Sequence, residues 1–332
     1  NISPGIYTVV CKMIGYQITR IEKVKVESDR SVRLDFQIEE SLLDIGEEVT
    51  VVANKGMIQR DLTSSVSTVS ADDIGAMPVE SFQEVLELQA GVVTDQSGGM
   101  HIRGGRSDEV AYLIDGVSIT NPFYGAAALN IDHNSIQELK VISGTFNAEY
   151  GQVMSGIVEI VTKKPEEKLR WGGSLNFGDY VSANDDLFYG IDELNPISIH
   201  NGEFFLSGPL PKTSKKMGYY LSFRKSFNDG WLYGERVFNP KDSSSFDPQS
   251  IIIEKTGDGD AVPMNSSQQY YWNMKIRLNI TDNSFLTYSF IGNHSDLRQY
   301  DHRYRLNPDG NGKSRNKGLT HILSFEQSIS QN

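Results

Sequence analysis

The order of this chain is set by four short stretches: Ile102-Arg103-Gly104-Gly105, Leu113-Ile114-Asp115-Gly116-Val117, Tyr150-Gly151, and Ser155-Gly156-Ile157-Val158-Glu159-Ile160-Val161-Thr162-Lys163. His101–Gly105 and Val110–Ile114 read as strands joined by a polar turn, and Asp115-Gly116 is a tight-turn signal because both residue types tolerate positive φ. Ile136–Ser143 and Gly156–Thr162 are two more apolar, β-branched runs of strand length, the second closed by Lys163-Lys164-Pro165.

Outward from this nucleus the pattern becomes helical on one side. Val79–Ala90 places Phe82, Val85, Leu86 and Leu88 on one helical face, and Gly91 ends it. Ser70 followed by Asp73 resembles a capping box with Asp in place of Glu. Residues 60–164 therefore read as one compact mixed α+β block. Residues 4–40 instead alternate in period two (Ile6, Thr8, Val10; Val24, Val26; Val32, Leu34, Phe36, Ile38), as the last strands of a small β-sandwich do. Between them lies Glu47-Glu48-Val49-Thr50-Val51-Val52-Ala53, which fits either a sheet strand or an exposed strand offered to a partner by edge pairing.

After Pro165 the texture changes. Trp171, Leu175 and Phe177 alternate with polar residues, as do Tyr270, Trp272, Met274, Ile276, Leu278 and Ile280. Similar runs surround Leu221, Tyr288 and Leu323, and long polar stretches such as 228–265 and 295–317 separate them. An outer-membrane barrel has this texture, and so does a soluble sandwich; periodicity alone leaves both open.

Charge follows the same division. The 332 residues carry 31 basic and 43 acidic side chains, net −12. Residues 1–164 hold 13 basic and 23 acidic groups, and the remainder 18 and 20, so the balance steps from −10 to −2 near Pro165. The acidic balance argues against a nucleic-acid binder. The single Cys11 excludes an intrachain disulfide or a CxxC site. No apolar run reaches the roughly 18 residues of a spanning helix, a test blind to membrane strands.

Reactive chemistry is not indicated. The six His residues lack HxxxH or HExxH spacing, Ser155 is not in a GxSxG elbow, and the glycines around 98–105 form neither phosphate-cradle motif. Asp258-Gly259-Asp260 and Asp309-Gly310-Asn311-Gly312 are similar to calcium loops but lack a full ligand series, and read better as turns. The sequence points to no enzyme, no metal and no cofactor.

Residues 85–164 resemble the plug domain of TonB-dependent outer-membrane receptors. Leu86-Glu87-Leu88-Gln89-Ala90-Gly91-Val92 is similar to the helix before the plug sheet, Ile102-Arg103-Gly104-Gly105 to the "IRG" strand, and Leu113–Val117 to the "DGV" turn. Tyr150-Gly151 with Ser155–Lys163 resembles the closing strand. Residues 1–44 resemble the C-terminal part of a carboxypeptidase-regulatory-like β-sandwich, a non-catalytic extension, and 168–332 resemble the first barrel strands. The expected architecture is that sandwich remnant (1–44), a TonB-box-like segment and linker (45–59), a mixed α+β plug (60–164), and the start of an antiparallel transmembrane β-barrel (165–332).

The resemblance implies import across the outer membrane of a Gram-negative bacterium, with the N-terminal part periplasmic. Its partners would be TonB with the inner-membrane energising complex, outer-membrane lipid, and a small or oligomeric substrate that the sequence does not identify. A surface lipoprotein is a further candidate partner, and nucleic acid is not. Glu48, Val49, Thr50, Val51 and Val52 are the expected TonB contact. Thr94–Met100 and Asn121–Asn130 are the candidate substrate-facing apex, chiefly Asn121, Phe123, Tyr124 and Gly125. Arg103, Arg106, Glu138 and Glu149 are candidate plug–barrel charge contacts, facing Arg170, Lys275 or Arg277.

Ile136-Gln137-Glu138-Leu139-Lys140-Val141 and Ser143-Gly144-Thr145-Phe146 depart from the siderophore-receptor pattern, which argues away from a siderophore cargo. About six strands cannot close a barrel of roughly 22, so the chain is expected to be a fragment with more strands downstream and a signal peptide upstream. Two other readings stand beside import: a soluble β-rich surface binding or adhesion protein, and an outer-membrane receptor that signals or anchors a partner without transport.

Overall fold

The computed structural model describes residues 5–13, 16, 18–26, 32–36, 38, 49–52, 64–79, 81–95, 99–121, 123, 125–144, 153–184, 186–213, 216–281 and 283–327. They fall into two units. The first takes residues up to 79, 83–126 and 136–162; the second takes 81–82, 127–135 and 163–327.

In the first unit, β1 (Gly5–Cys11) pairs antiparallel with β2 (Thr19–Val26), and β3 (Val49–Val52) adds parallel to β2, giving the sheet order β1-β2-β3. Residues 32–36 alternate in exposure as expected but join no ladder. Alternation marks which side faces the core; a strand also needs a hydrogen-bonding neighbour, and among the described residues this segment has none.

The plug block follows. β4 (Ser64–Ser70) leads into α1 (Ala71–Ala76), and the capping box forms as expected: Ser70 Oγ accepts from Asp73 N at 3.3 Å, and Ser70 N donates to Asp73 Oδ2 at 3.2 Å. The second helix, α2 (Phe82–Glu87), is shorter than the 79–90 periodicity suggests. It buries Phe82, Val85 and Leu86, but Leu88 is exposed: its amide still bonds Glu84 O at 3.3 Å, and two positions past Leu86 it lies about half a turn around the helix from that residue.

The hairpin β5 (Val92–Thr94) and β6 (Met100–Ile102) comes next, then β7 (Val110–Ile114), β8 (Val117–Ser118), β9 (Ile136–Gly144) and β10 (Gly156–Thr162). The main plug sheet runs β4-β9-β10-β7-β8, with only β10 and β7 parallel. The central strands β9 and β10 are buried along nearly their whole length, which is why they read as continuous apolar runs rather than alternating ones. Ile114, Ile136, Leu139, Ile157, Val158 and Ile160 form the core. Lys140 and Glu159 lie directly opposite each other on β9 and β10 and pair at 3.5 Å.

The second unit is dominated by a six-stranded antiparallel meander. Its strands are β11 (Arg170–Gly178), β12 (Ile199–Pro209) and β13 (Met217–Asn228), then, after the loop strands β14 (Tyr233–Glu235), β15 (Ser244–Asp247), β16 (Ser250–Ile253) and β17 (Ala261–Pro263), β18 (Ser267–Thr281), β19 (Ser284–Leu297) and β20 (Ser314–Gln327). At 14 or 15 residues, β18, β19 and β20 exceed the roughly 9–11 a tilted strand needs to cross lipid.

Exposure on this sheet decides between barrel and soluble sandwich. The apolar register is the exposed one: Trp171, Leu175 and Leu323 are 71%, 74% and 70% exposed. The polar register is buried, with Ser207, Arg224, Asn273 and Lys275 at 0%, 1%, 3% and 3%. A water-soluble sheet does the reverse, whereas a lipid-facing wall with a polar interior has this polarity. Phe223, Tyr270 and Trp272 cluster on the apolar face with centroids 6.1–6.5 Å apart.

The connections are unequal. β12–β13 and β18–β19 are joined by residues 210–216 and 282–283, while 179–198, 229–266 and 298–313 link the strands at the opposite end. Alternating short turns and long loops is the outer-membrane barrel arrangement.

Candidate functional site

The plug motifs owe their chemistry to two turns. Arg103 (φ 50°) and Gly104 (φ 78°) form a turn closed by Gly105 N donating to Ile102 O at 3.0 Å. Directly across from it, a Cβ on Gly156 would lie 2.5 Å from Ile102 Cδ1, so the glycine that opens β10 is what lets the turn pack down.

The Asp115-Gly116 turn (φ 48° and 80°) joins β7 to β8, as its sequence indicates. It does more than reverse the chain. The Asp115 carboxylate accepts from Thr162 N at 2.9 Å and Thr162 Oγ1 at 2.7 Å, and Asp115 N donates to Ile160 O at 2.9 Å. The turn thereby ties down the last residues of β10.

In the hairpin between β5 and β6, Asp95 N donates to Gly99 O and Gly99 N to Asp95 Oδ1, both at 2.9 Å. His101 Nε2 lies 3.0 Å from Asp95 Oδ2 and Nδ1 lies 2.8 Å from Gly105 O. Both ring nitrogens face acceptors. The bond to Asp95, and after it the Gly105 carbonyl, holds the imidazole pKa above its ordinary value.

The second candidate segment is a closed loop. Asn121 N donates to Ala126 O, Gly125 N to Asn121 O, and Phe123 N to Asn121 Oδ1. Phe123 stands 87% exposed at its tip, and Gly125 (φ 66°) passes so close to Asp108 that a Cβ would clash with that backbone. Tyr124 lies outside the described residues. Asn121, Phe123 and Gly125 are thus brought together.

Of the expected TonB contact, Val49–Val52 is β3, at the edge of its sheet, with one side bonded to β2 in the register Thr19↔Val49 to Glu22↔Val52. Glu48 lies outside the described residues. Among the charge candidates, Arg103 and Arg106 are exposed around the β6 turn, Glu138 is buried in β9, and Glu149 lies outside the described residues. On the meander, Arg170 pairs with Glu166 at 3.1 Å, Arg277 stacks 4.0 Å over Phe285, and Lys275 is buried.

Two clusters in the second unit have no counterpart in the sequence reading. The first joins residues 127–135 to the polar face of the meander. Arg224 on β13 donates through Nε to Asn201 Oδ1 at 2.9 Å and through Nη1 to Asp132 Oδ1 at 3.3 Å and His133 Nδ1 at 3.0 Å. A guanidinium can only donate, so His133 accepts at Nδ1 and carries its proton on Nε2. Asn134 Nδ2 donates to Glu203 Oε2, and Glu203 Oε1 accepts from Ser174 Oγ at 3.0 Å. Ser135 and Ser222 hydroxyls meet at 2.7 Å, and Tyr220 Oη reaches Asn134 O at 3.4 Å. Leu129 fits over Gly318 of β20, where a Cβ would come within 2.7 Å of its Cδ1.

The second cluster ties the long loops together. Arg236 bonds Asp258 at 2.8 Å and Asp309 at 2.7 Å and lies 3.7 Å from Asp260. The backbone follows, with Glu235 N donating to Arg305 O and both Val237 N and Phe238 N to Leu306 O. The two Asp-Gly segments that resemble calcium loops are therefore turns that converge on a guanidinium. Asp258 is held below its ordinary pKa by the Asp260 amide first and Arg236 second.

Comparison with known proteins completes the picture. Residues 58–158 match the family described as TonB-dependent receptor plug domain. The chain is 25% identical over 194 residues to the TonB-dependent transporter Oar of Myxococcus xanthus, covering 55% of this chain and 17% of that protein. It is 29% identical over 205 residues to the vitamin B12 transporter BtuB of Vibrio vulnificus, covering 54% of this chain and 33% of the other. In fold it is similar to the ferric enterobactin receptor of Pseudomonas aeruginosa, with a TM-score of 0.53 and 14% identity over 80% of this chain and 39% of that one. The chain thus spans between a sixth and two fifths of the length of these proteins. Residues 58–158 thus form a plug domain of the TonB-dependent receptor type, and the antiparallel strands after it are similar in fold to the start of the solved receptor's barrel.

Proposed function

We propose that this chain is the plug and first barrel wall of a receptor that imports a substrate across the outer membrane by energy-coupled rearrangement of the plug. The observation that carries the reading is the inverted polarity of the six-stranded sheet, apolar residues exposed and polar ones buried, in a chain that also matches the TonB-dependent plug family. In this reading the long loops 179–198, 229–266 and 298–313 face the exterior, and the Phe123 loop is the plug's own substrate-facing segment. β3, through Val49–Val52 with Glu48 before it, is the strand that pairs with TonB; its place at the sheet edge among the described residues and its β-branched residues support addition of a partner strand. The relatives named above handle vitamin B12 and ferric enterobactin, two unlike cargoes, so kinship supports import without selecting a substrate.

The test is cross-linking of the full-length receptor to the periplasmic domain of TonB in membranes. Deleting residues 47–53 is expected to abolish the cross-link while leaving the barrel assembled. Undiminished cross-linking after that deletion would remove the TonB assignment. Extraction of the complete receptor into detergent-free buffer as a folded monomer would remove the membrane reading altogether.

A further inference from the structure

Direct pairing across the six-stranded sheet arranges its outward register in rows. One row runs Lys225–Tyr270–His294–Lys317 across β13, β18, β19 and β20. The row on its loop side places Asp296 beside Arg315. On the other side the first row is Phe223–Trp272–Gly292–Leu319, and neither it nor any row beyond it holds a Lys, Arg, Asp or Glu. Every Lys and Arg of this register in the six strands therefore stands in the two rows nearest the long loops.

We propose that this surface binds the phosphorylated head group of a membrane lipid, in the leaflet on the side of the long loops. The proposal rests on the membrane reading above and goes beyond it by giving one class of lipid a fixed place on the wall.

Position explains why charge is tolerated here. A lipid-facing Lys or Arg is strongly disfavoured near the bilayer centre and accepted near the interface, where its stem lies over apolar neighbours and its head reaches water. Lys225, Tyr270, His294 and Lys317 each stand three residues inside the loop-side end of their strands, about 10 Å of extended chain. Sign is the second clue. Acids are less disfavoured than bases on the lipid face, yet the register carries Lys225, Arg315 and Lys317 against Asp296 alone. Arg315 holds Asp296 at 2.8 Å through Nε, which leaves its Nη1 for another acceptor. Neither Lys225 nor Lys317 has an ion pair among the described residues. A phosphorylated head group supplies the anion that this cationic surface lacks.

The spacing narrows the ligand further. Tyr270 and His294 stack between the two lysines with centroids 6.1 Å apart. Three strand spacings of about 4.8 Å separate the Lys225 and Lys317 backbones by roughly 14 Å. A head group with two phosphates suits cations held apart in this way, one phosphate on each side of the ring pair. Its acyl chains would continue over the uncharged row below, where Phe223 and Leu319 are exposed. That apolar continuation is what a free anion could not use.

Native mass spectrometry of the full-length receptor in detergent tests the site, with bisphosphorylated lipid A, its fully dephosphorylated form and inorganic phosphate as probes. Lipid A should bind at least about tenfold more tightly than the dephosphorylated form, and excess inorganic phosphate should not displace it. Lys225→Gln/Arg315→Gln/Lys317→Gln should weaken lipid A binding about tenfold or more, whereas Lys225→Arg/Lys317→Arg should stay within about twofold of the parent. Lys212→Gln/Lys216→Gln, in the short turn at the other end of β12 and β13, should leave binding unchanged. Equal binding of the two lipid forms, or an equal loss in the Lys212/Lys216 variant, overturns the site. Full displacement by inorganic phosphate overturns the lipid and leaves a free-anion site. A receptor that does not insert into vesicles removes the membrane reading and the site with it; insertion without preference for the phosphorylated lipid removes the site alone.

Discussion

Asp115 turns the chain and also caps the end of a neighbouring strand. Replacing it with Ala removes two bonds to Thr162 and a residue suited to φ 48°, so a loss of roughly 2–4 kcal/mol of local stability is expected. Asp115→Asn keeps the turn and one strong acceptor and should lose less. Hydrogen exchange of the β7 and β10 amides reads both variants. Arg224 makes a sharper case. Arg224→Met leaves Asp132 buried without its guanidinium, at a cost of about 3–5 kcal/mol, while the double variant Arg224→Met/Asp132→Leu should recover much of it. The folded fraction of assembled receptor in urea measures the difference; equal loss in the single and double variants would mean that charge is not the cause.

His101 carries a pH dependence whose sign is fixed. Its folded pKa is raised above 6.5, so its contribution to the β5–β6 hairpin is complete below the unfolded value and is lost as pH rises through the folded one. Exchange of the Gly99 amide, corrected for its intrinsic pH dependence, should rise across that window in the native receptor and show no such step in His101→Gln. At this scale the sequence was legible where geometry is local. The Asp115-Gly116 turn and the Ser70–Asp73 box could be read directly, since both depend on residues within three positions of each other. The Asp115–Thr162 clamp could not, because the partner lies 47 residues away and only the parallel β7–β10 pairing brings it there.

At the level of elements, the strands of the meander were readable because lipid imposes strict alternation over ten or more residues. The same alternation misled at 32–36, where a pattern without a ladder neighbour among the described residues did not make a strand. The 79–90 helix was overextended because periodicity continued past the residue where the backbone closes. The packing of residues 127–135 was invisible for a different reason. Asp132-His133-Asn134-Ser135 has the composition of an ordinary polar loop, and only Arg224, Glu203 and Ser222 on strands far along the chain give those side chains a purpose. The Arg236 junction has the same character. Arg236→Ala should loosen 229–266 and 298–313 together, exposing the amides of Glu235, Val237 and Phe238, while a substitution at the exposed Lys313 should leave them protected. Exchange mass spectrometry separates the two outcomes.

For the molecule as a whole, the sidedness of the six-stranded wall has an energetic signature. A charge placed on its apolar face, as in Leu323→Arg, should destabilise the assembled barrel by about 2–4 kcal/mol if the site lies near the membrane midplane. The same substitution in a soluble sheet with Leu323 this exposed would cost little. Folding into vesicles, titrated with urea, distinguishes them. Charge and texture change near Pro165, and the second unit resumes at Lys163. The exception, residues 127–135 grouping with the wall, reflects contacts that no composition window can register.

The β15–β16 hairpin gives the wall a practical handle. Its four-residue strands pair only with each other, and Pro248-Gln249 at its tip interrupts no strand of the meander. An epitope spliced between those two residues should be accommodated without disturbing assembly, because insertions at exposed tips perturb few backbone bonds. Antibody added to intact cells would then report which side of the membrane that tip occupies, turning an ornament of the longest loop into a compass for the entire receptor.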